Sequence, residues 1–103
     1  MNFGLKDDII KKINAVFFLH KQVEEVIIYG SRAKGNYKPG SDIDLSIKGE
    51  DLNLKILNKI SLQLDDLLLP YTFDLSIFSK IDNTDLIEHI NRAGKKFYKK
   101  SET

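Results

Sequence analysis

Hydrophobic residues recur every three or four positions in three stretches of the chain, with charged residues between them. This period is typical of helices that bury one face, and it predicts helices over about Leu5–Leu19, Leu52–Leu69 and Thr84–Ala93. Asp51 precedes the second stretch as a candidate N-cap, and Gly94 follows the third as a candidate C-cap. The chain therefore offers three amphipathic helices, each of which needs an apolar surface to cover.

Three shorter stretches are apolar or alternate between apolar and polar residues, which is typical of strands. They lie at about Val23–Tyr29, Asp42–Lys48 and Thr72–Phe78. The connector between the first two, Gly30–Ser41, has room for one helical turn at about Ser31–Lys34. It is too short for the helical crossover that neighbouring parallel strands need, so we expect these two strands to be antiparallel. The helix between the second and third strands allows that pair to be parallel.

These elements predict an α/β (α+β) fold, in which helices cover mainly one face of a small mixed three-stranded sheet. The other face is expected to carry acidic side chains. We expect a single domain spanning residues 1–103, because a chain of this length supports one modest core. Phe97 and Tyr98 are expected to pin the tail against that core, and the lysines around them are expected to be solvated: Lys95, Lys96, Lys99 and Lys100.

The composition narrows the class of protein. The 16 basic and 15 acidic residues give a net charge of +1, which does not favour a broad nucleic-acid-binding surface. The chain has no cysteine, which excludes disulfides and thiolate metal sites and is consistent with a reducing cytosol. No apolar run approaches the roughly 20 residues of a membrane-spanning helix, and the N-terminus has no secretory pattern. We therefore expect a soluble cytoplasmic protein without a membrane partner.

The connector after the first strand carries the first candidate chemistry. Gly30 allows a tight turn and a close approach of a ligand to the main chain. Ser31 is a candidate N-cap of the short helix, whose free N–H groups attract an anion such as phosphate. Arg32 is a nearby cation available to the same phosphate. Taken alone, a glycine–serine pair is more often an ordinary turn between a strand and a helix.

Three aspartates are predicted to lie on one side of the sheet. Asp42 and Asp44 are two positions apart, so on a strand both project from the same face. The alternation of apolar residues in the third strand places Asp74 on that side as well. Three carboxylates without a neighbouring basic residue in those positions favour a divalent cation, and oxygen ligands favour Mg²⁺ or Mn²⁺ over zinc. His20 and His89 stand apart from other ligands and are expected to be structural or exposed.

The spacing of these residues resembles the signature of the DNA polymerase β-type nucleotidyltransferase superfamily. The matching residues are Gly30-Ser31-x-Ala33-x-Gly35, followed by Ser41-Asp42-x-Asp44-Leu45. With no room for additional domains, the chain resembles the minimal nucleotidyltransferase (MNT) branch, and the resemblance covers nearly the whole sequence. It implies a polymerase β-like fold and the metal-dependent transfer of a nucleoside monophosphate, most simply AMP from ATP, to a hydroxyl group.

The resemblance also implies a role for each matching residue. In the superfamily, two aspartates hold two metal ions, here Mg²⁺ with Mn²⁺ as the alternative, and a third helps to activate the attacking hydroxyl. The resemblance gives the roles of the first two aspartates to Asp42 and Asp44 and the role of the third to Asp74, and all three are expected to be catalytic and metal-binding residues. The nucleotide is expected to be bound by four residues: Gly30, Ser31, Arg32 and Ser41.

The partners follow from the same resemblance. Minimal members are typically paired with a small helical protein of the HEPN type, and several act as its antitoxin by adenylylating one of its tyrosines. ATP or another nucleoside triphosphate and a HEPN-type protein are therefore the expected partners, and whether the chain forms homo-oligomers stays open. A non-catalytic antitoxin that inhibits its partner by occlusion is an alternative from a different class. Transfer to a small molecule such as an aminoglycoside, or to RNA ends, is a further alternative.

Overall fold

A four-stranded mixed sheet forms the centre of the chain in the computed structural model, which describes residues 2–101. The strands are β1 (Glu25–Tyr29), β2 (Ile43–Lys48), β3 (Phe73–Ile77) and β4 (Lys95–Lys99), and they lie in the order β3-β2-β1-β4. Strand β1 pairs with β2 in the antiparallel sense, and β2 pairs with β3 in the parallel sense. The pairing predicted from the two connections is therefore confirmed.

Within residues 2–101, four α-helices accompany the sheet: α1 (Asp7–Phe18), α2 (Ser31–Lys34), α3 (Leu54–Asp65) and α4 (Thr84–Ala93), with a 3₁₀ turn at Phe78–Lys80. Helix α3 is shorter at both ends than the predicted stretch. Asn53, not Asp51, is its N-cap, since the Asn53 side chain accepts a hydrogen bond from the Ile56 N–H at 2.9 Å. Asp51 instead has a positive φ of 59° in the preceding turn. Across residues 2–101, no helix has the length and apolar character needed to cross a membrane.

The larger core lies on the face of the sheet that α1 and α3 cover. Strands β1 and β2 contribute alternate buried residues to it: Val26, Ile28, Ile43, Leu45 and Ile47. The two helices contribute the residues of their apolar faces: Ile13, Val16, Phe17, Ile60 and Leu64. Because strand side chains alternate between the two faces, these positions leave Ile27, Tyr29 and Asp44 on the opposite face.

The prediction that helices cover mainly one face agrees with the placement of α1 and α3, and α4 is the exception, because it covers part of the opposite face. Ile90 of α4 packs with Ile27 and Tyr29 of β1 in a second, smaller buried cluster. Gly94 is the C-cap of α4, as predicted; its backbone is extended at φ −70° and ψ 151°, and its N–H donates a hydrogen bond to the Ile90 carbonyl at 2.8 Å. A side chain at Gly94 would overlap with the Ile90 carbonyl and with Ile27, so this glycine permits the close approach of α4 to β1.

The prediction of three strands was wrong, because the tail forms a fourth strand at the edge of the sheet. Strand β4 pairs with β1 in the antiparallel sense, with an irregularity in register between Val26 and Ile27. Phe97 is 7% exposed and Tyr98 packs on the same core, whereas the four lysines are exposed as expected. Two consecutive core-facing residues break the alternation that marks a strand, so the pattern of the tail conceals β4. Exposed lysines are typical of an edge strand.

Candidate functional site

Tyr29, Asp44 and Asp74 form a row across three neighbouring strands. Tyr29 of β1 is paired in register with Asp44 of β2, and Asp44 is paired with Asp74 of β3. Paired residues share a face of the sheet, so the two aspartates lie side by side on the face that carries α4. Asp42 is exposed and lies one residue before β2 begins, outside the strand in which it was predicted. The structure thus brings Asp44 and Asp74 together through sheet pairing and holds Asp42 in the loop at their edge.

Gly30 continues this row at the end of β1. Its backbone has φ 75° and ψ −153°, a combination that is essentially restricted to glycine. A Cβ atom at this position would overlap with Oδ2 of Asp44, so the carboxylate lies directly against the main chain of the turn. Gly30 is also the N-cap of α2, and Ser31 is the first residue of that helix. Among the described residues, no side-chain hydrogen bond caps this end of α2. The prediction of Ser31 as the N-cap was therefore wrong by one position.

The surroundings of Asp44 disfavour its negative charge. Burial raises the pKa of Asp44, the carboxylates of Asp74 and Asp42 raise it further, and the charge of Arg32 acts in the opposite direction. A divalent cation between these carboxylates would relieve that repulsion, and oxygen donors suit Mg²⁺. The donor set therefore fits such an ion. Across residues 2–101, however, no three acidic or histidine side chains already converge at metal-binding distance. The metal site remains a prediction.

Arg32 and Ser41 interact with each other. The Arg32 side chain is 2% exposed, and its Nε and Nη2 atoms donate hydrogen bonds to the Ser41 carbonyl at 3.1 and 2.9 Å. Nη1 donates to the Phe3 carbonyl at 2.9 Å. The Ser41 hydroxyl accepts a hydrogen bond from the Lys38 N–H at 2.8 Å. These contacts stabilise the connector, and they give no support to the prediction that the Arg32 guanidinium meets a phosphate.

Tyr29 and Ser76 lie near the aspartates and were not predicted as part of the site, and His89, predicted to be structural or exposed, contacts Tyr29. Tyr29 is buried, and burial raises its pKa, as do the nearby carboxylates of Asp74 and Asp44. The Ser76 hydroxyl, two residues after Asp74, donates to the Ser46 hydroxyl at 3.0 Å. The His89 ring of α4 packs edge-on against Tyr29, with the ring centroids 6.2 Å apart. The alternation of β1 and β2 would have placed Tyr29 beside Asp44, whereas nothing in the sequence indicates that α4 brings His89 there.

His20 lies away from these aspartates. Its side chain is buried, and Nε2 is 2.6 Å from Oε1 of Gln63 on α3. This contact links the end of α1 to α3, so the structural role predicted for His20 is confirmed.

Several solved structures have a similar fold. The crystal structure of a toxin–antitoxin with AMP-PNP has a TM-score of 0.71 and 20% identity, covering 94% of this chain and 76% of that chain. The MntA-HepT toxin–antitoxin has a TM-score of 0.68 and 18% identity, covering 92% of this chain and 74% of that chain. A tri-AMPylated Shewanella oneidensis HEPN toxin in complex with MNT antitoxin has a TM-score of 0.69 and 17% identity, covering 93% of this chain and 74% of that chain. At these identities the likeness is one of fold.

The sequence matches none of the curated proteins at a significant level. A family model is more informative. The model described as polymerase beta, nucleotidyltransferase matches residues 11–103, which include β1, the glycine turn and all three aspartates. The match covers most of the chain and agrees with the resemblance found in the sequence. The chain therefore belongs to the polymerase beta nucleotidyltransferase family.

Proposed function

We propose that this nucleotidyltransferase transfers AMP from ATP to a hydroxyl group of a partner protein in a Mg²⁺-dependent reaction. The observation that carries the proposal is the row of Asp44 and Asp74 on paired strands, with the Gly30 turn against the Asp44 carboxylate. This arrangement sets acidic side chains beside the partly exposed turn of Gly30 and Ser31, where a triphosphate and its metal ions would meet both. Membership of the family makes nucleotidyl transfer the expected reaction class.

The three aspartates and the glycine turn each have a part in the proposed reaction. Asp42, Asp44 and Asp74 would hold two Mg²⁺ ions, which supply charge neutralisation for the triphosphate. The turn of Gly30 and Ser31 would hold the terminal phosphates through main-chain N–H groups and the serine hydroxyl. Asp74 would take the proton of the acceptor hydroxyl. The acceptor oxygen then forms a bond to the α-phosphorus, the bond from that phosphorus to the bridging oxygen breaks, and pyrophosphate leaves.

A HEPN-type helical protein is the acceptor that we propose. Support comes from the similar structures, one of which contains AMP-PNP and another of which contains an AMPylated HEPN toxin. Those ligands and modifications belong to the similar proteins, and their transfer to this chain is part of the proposal. A protein acceptor also agrees with a net charge of +1, which offers little attraction for RNA.

The test uses the full chain, a HEPN-type helical protein and ATP labelled at the α-phosphate. We expect label on the partner only when Mg²⁺ is present, and intact mass spectrometry with each nucleoside triphosphate identifies the nucleotide. Asp42→Ala and Asp44→Ala are expected to abolish labelling, and Asp82→Ala is a matched control because Asp82 is exposed and outside the row. Full labelling by either site variant would show that these carboxylates are not required.

A second function, inhibition of the partner by occlusion, is favoured by one observation. Among residues 2–101, the acidic side chains do not converge into a ready three-ligand metal site. An occluding antitoxin needs the fold but not the ions. The two functions differ in one comparison, because a variant with all three aspartates changed to alanine would still neutralise the partner if occlusion suffices. Loss of neutralisation, with binding of the partner retained, would favour catalysis.

A further inference from the structure

Arg32 is a buried residue that connects the glycine turn to the loop that carries Asp42. It lies one residue after Ser31, and its guanidinium meets the carbonyl of Ser41, the residue just before Asp42. A second carbonyl of the connector, that of Pro39, accepts a weaker hydrogen bond from Nη2 at 3.4 Å. The connector itself is exposed from Gly35 to Gly40. Arg32 is therefore the buried point that holds this exposed loop against the glycine turn.

The N-terminal turn completes the environment of the guanidinium. The Phe3 carbonyl accepts from Nη1 at 2.9 Å, and the Phe3 ring contacts the Phe97 ring with the centroids 6.0 Å apart. Residues 2 and 5 pair through main-chain hydrogen bonds of 3.2 and 2.8 Å, and Leu5 is fully buried. Gly4 has φ 73°, and a Cβ atom there would overlap with the Tyr37 ring and lie 3.0 Å from Nη1 of Arg32. The turn is thus fitted closely to Arg32.

Two aromatic rings complete the pocket. The central carbon of the guanidinium is 5.4 Å from the centroid of the Tyr37 ring and 5.0 Å from that of the Tyr71 ring. Both distances are within the range of a cation–π interaction. Among residues 2–101, no carboxylate forms an ion pair with this arginine. Neutral carbonyls and aromatic faces therefore replace water around a buried charge. Burying a charge costs free energy, so we infer that this side chain has a specific role.

We propose that Arg32 is a positioning residue, which fixes Asp42 relative to the Gly30 turn through the Ser41 carbonyl, and that the N-terminal turn belongs to this support. This inference rests on the proposed function for its kinetic consequence. A phosphate ligand requires guanidinium N–H groups that face the ligand, whereas those of Arg32 face main-chain carbonyls of the protein. Lysine at this position would keep the charge, but its single ammonium cannot reproduce the flat fork of donors that spans Ser41 and Phe3.

The kinetic test compares Arg32→Lys with the wild type in Mg²⁺-dependent transfer of AMP. We expect kcat to fall by about 100-fold, as for other misplacements of catalytic groups, while KM for ATP stays within about twofold. Arg92→Lys is the matched control, because Arg92 is an exposed arginine that forms an ion pair with Glu88 on its own helix. A large rise in KM for ATP with unchanged kcat would identify Arg32 as a phosphate ligand and overturn the proposal.

A structural test does not depend on activity. Amide hydrogen exchange is expected to become faster in residues 36–42 of Arg32→Lys, including the Ser41 N–H, which donates to the Lys38 carbonyl at 2.9 Å. The amides of β1 and β2 are expected to stay protected. In NMR titrations, about tenfold more Mn²⁺ should be needed to broaden the signals of Asp42 and Asp44. Unchanged exchange in residues 36–42 would overturn the proposal.

Gly4→Ala tests the same support from a second direction, in case Arg32→Lys does not fold. The new methyl group would push on Tyr37 and on Arg32, so we expect the same loss of kcat and the same faster exchange. Gly40→Ala is the control in the connector, since a Cβ atom there meets no atom within 4 Å. Equal behaviour of Gly4→Ala and Gly40→Ala would contradict the role of the N-terminal turn. If the wild type transfers no AMP, the proposed function fails, while exchange and Mn²⁺ titration still decide the role of Arg32.

Discussion

Replacement of Gly30 by alanine separates backbone strain from the geometry of the acidic row. The Gly30 conformation, φ 75° and ψ −153°, costs residues with a side chain about 1–3 kcal/mol. The added methyl group would also overlap with Oδ2 of Asp44, so the carboxylate or the turn must move. We therefore expect the free energy of unfolding to fall by about 1–3 kcal/mol. We expect kcat for AMP transfer to fall by about 100-fold, because the carboxylate is displaced.

Gly35 provides the control, because it shares the strain without the overlap. Its backbone is left-handed at φ 87° and ψ 4°, and a Cβ atom there would meet no heavy atom within 4 Å. Gly35→Ala is therefore expected to lose about 1–2 kcal/mol of stability from the left-handed backbone. Its AMP transfer and its response to Mg²⁺ should stay close to those of the wild type. The pair thus differs mainly in the contact with Asp44.

Three measurements decide the comparison. Urea denaturation gives the free energy of unfolding of each variant, transfer of labelled AMP gives kcat, and the rise in Tm on addition of Mg²⁺ reports the metal site. We expect that rise for the wild type and Gly35→Ala and a smaller one for Gly30→Ala. The reasoning is refuted if Gly30→Ala keeps wild-type kcat, or if both variants lose transfer to the same extent.

Three further predictions concern the stability of the fold. The raised pKa of Asp44 means that the folded chain holds this proton more tightly than the unfolded chain, so ionisation of Asp44 destabilises the fold as pH rises above about 4. Asp44→Asn should therefore raise Tm at pH 7 without Mg²⁺ and leave it unchanged near pH 3; a lower Tm at pH 7 would contradict this. Ile90→Ala should lower the free energy of unfolding, measured by urea denaturation, by about 2–5 kcal/mol, because Ile90 fixes α4 to β1. Leu68 is 89% exposed, so Leu68→Ala should change that free energy little. In the same measurement, Phe97→Ala should lower the free energy of unfolding by about 3–5 kcal/mol if β4 is an integral strand. A decrease below about 1 kcal/mol would count against that assignment.

Local pattern was enough to predict the helices, three of the strands and the side on which the acids lie. Connection length decides whether neighbouring strands are parallel, so the antiparallel pair of β1 and β2 and the parallel pair of β2 and β3 followed from the sequence. The strict alternation of strand side chains placed Asp44 and Asp74 on one face, and their register in the sheet agrees. These properties depend on residues that are close together in the chain, and a sequence displays them directly.

Tertiary structure alone decided the features that depend on distant partners. Strand β4 forms because β1 offers an edge, and α4 lies on the second face because Gly94, without a side chain, allows its close approach to Ile27. The surroundings of the Arg32 guanidinium are the clearest example. From the sequence, a basic residue beside a phosphate-binding turn was expected to face the phosphate, but carbonyls from Phe3 and Ser41 enclose it instead. A charged side chain can be solvated, paired or buried, and the choice depends on groups that only the folded chain brings around it.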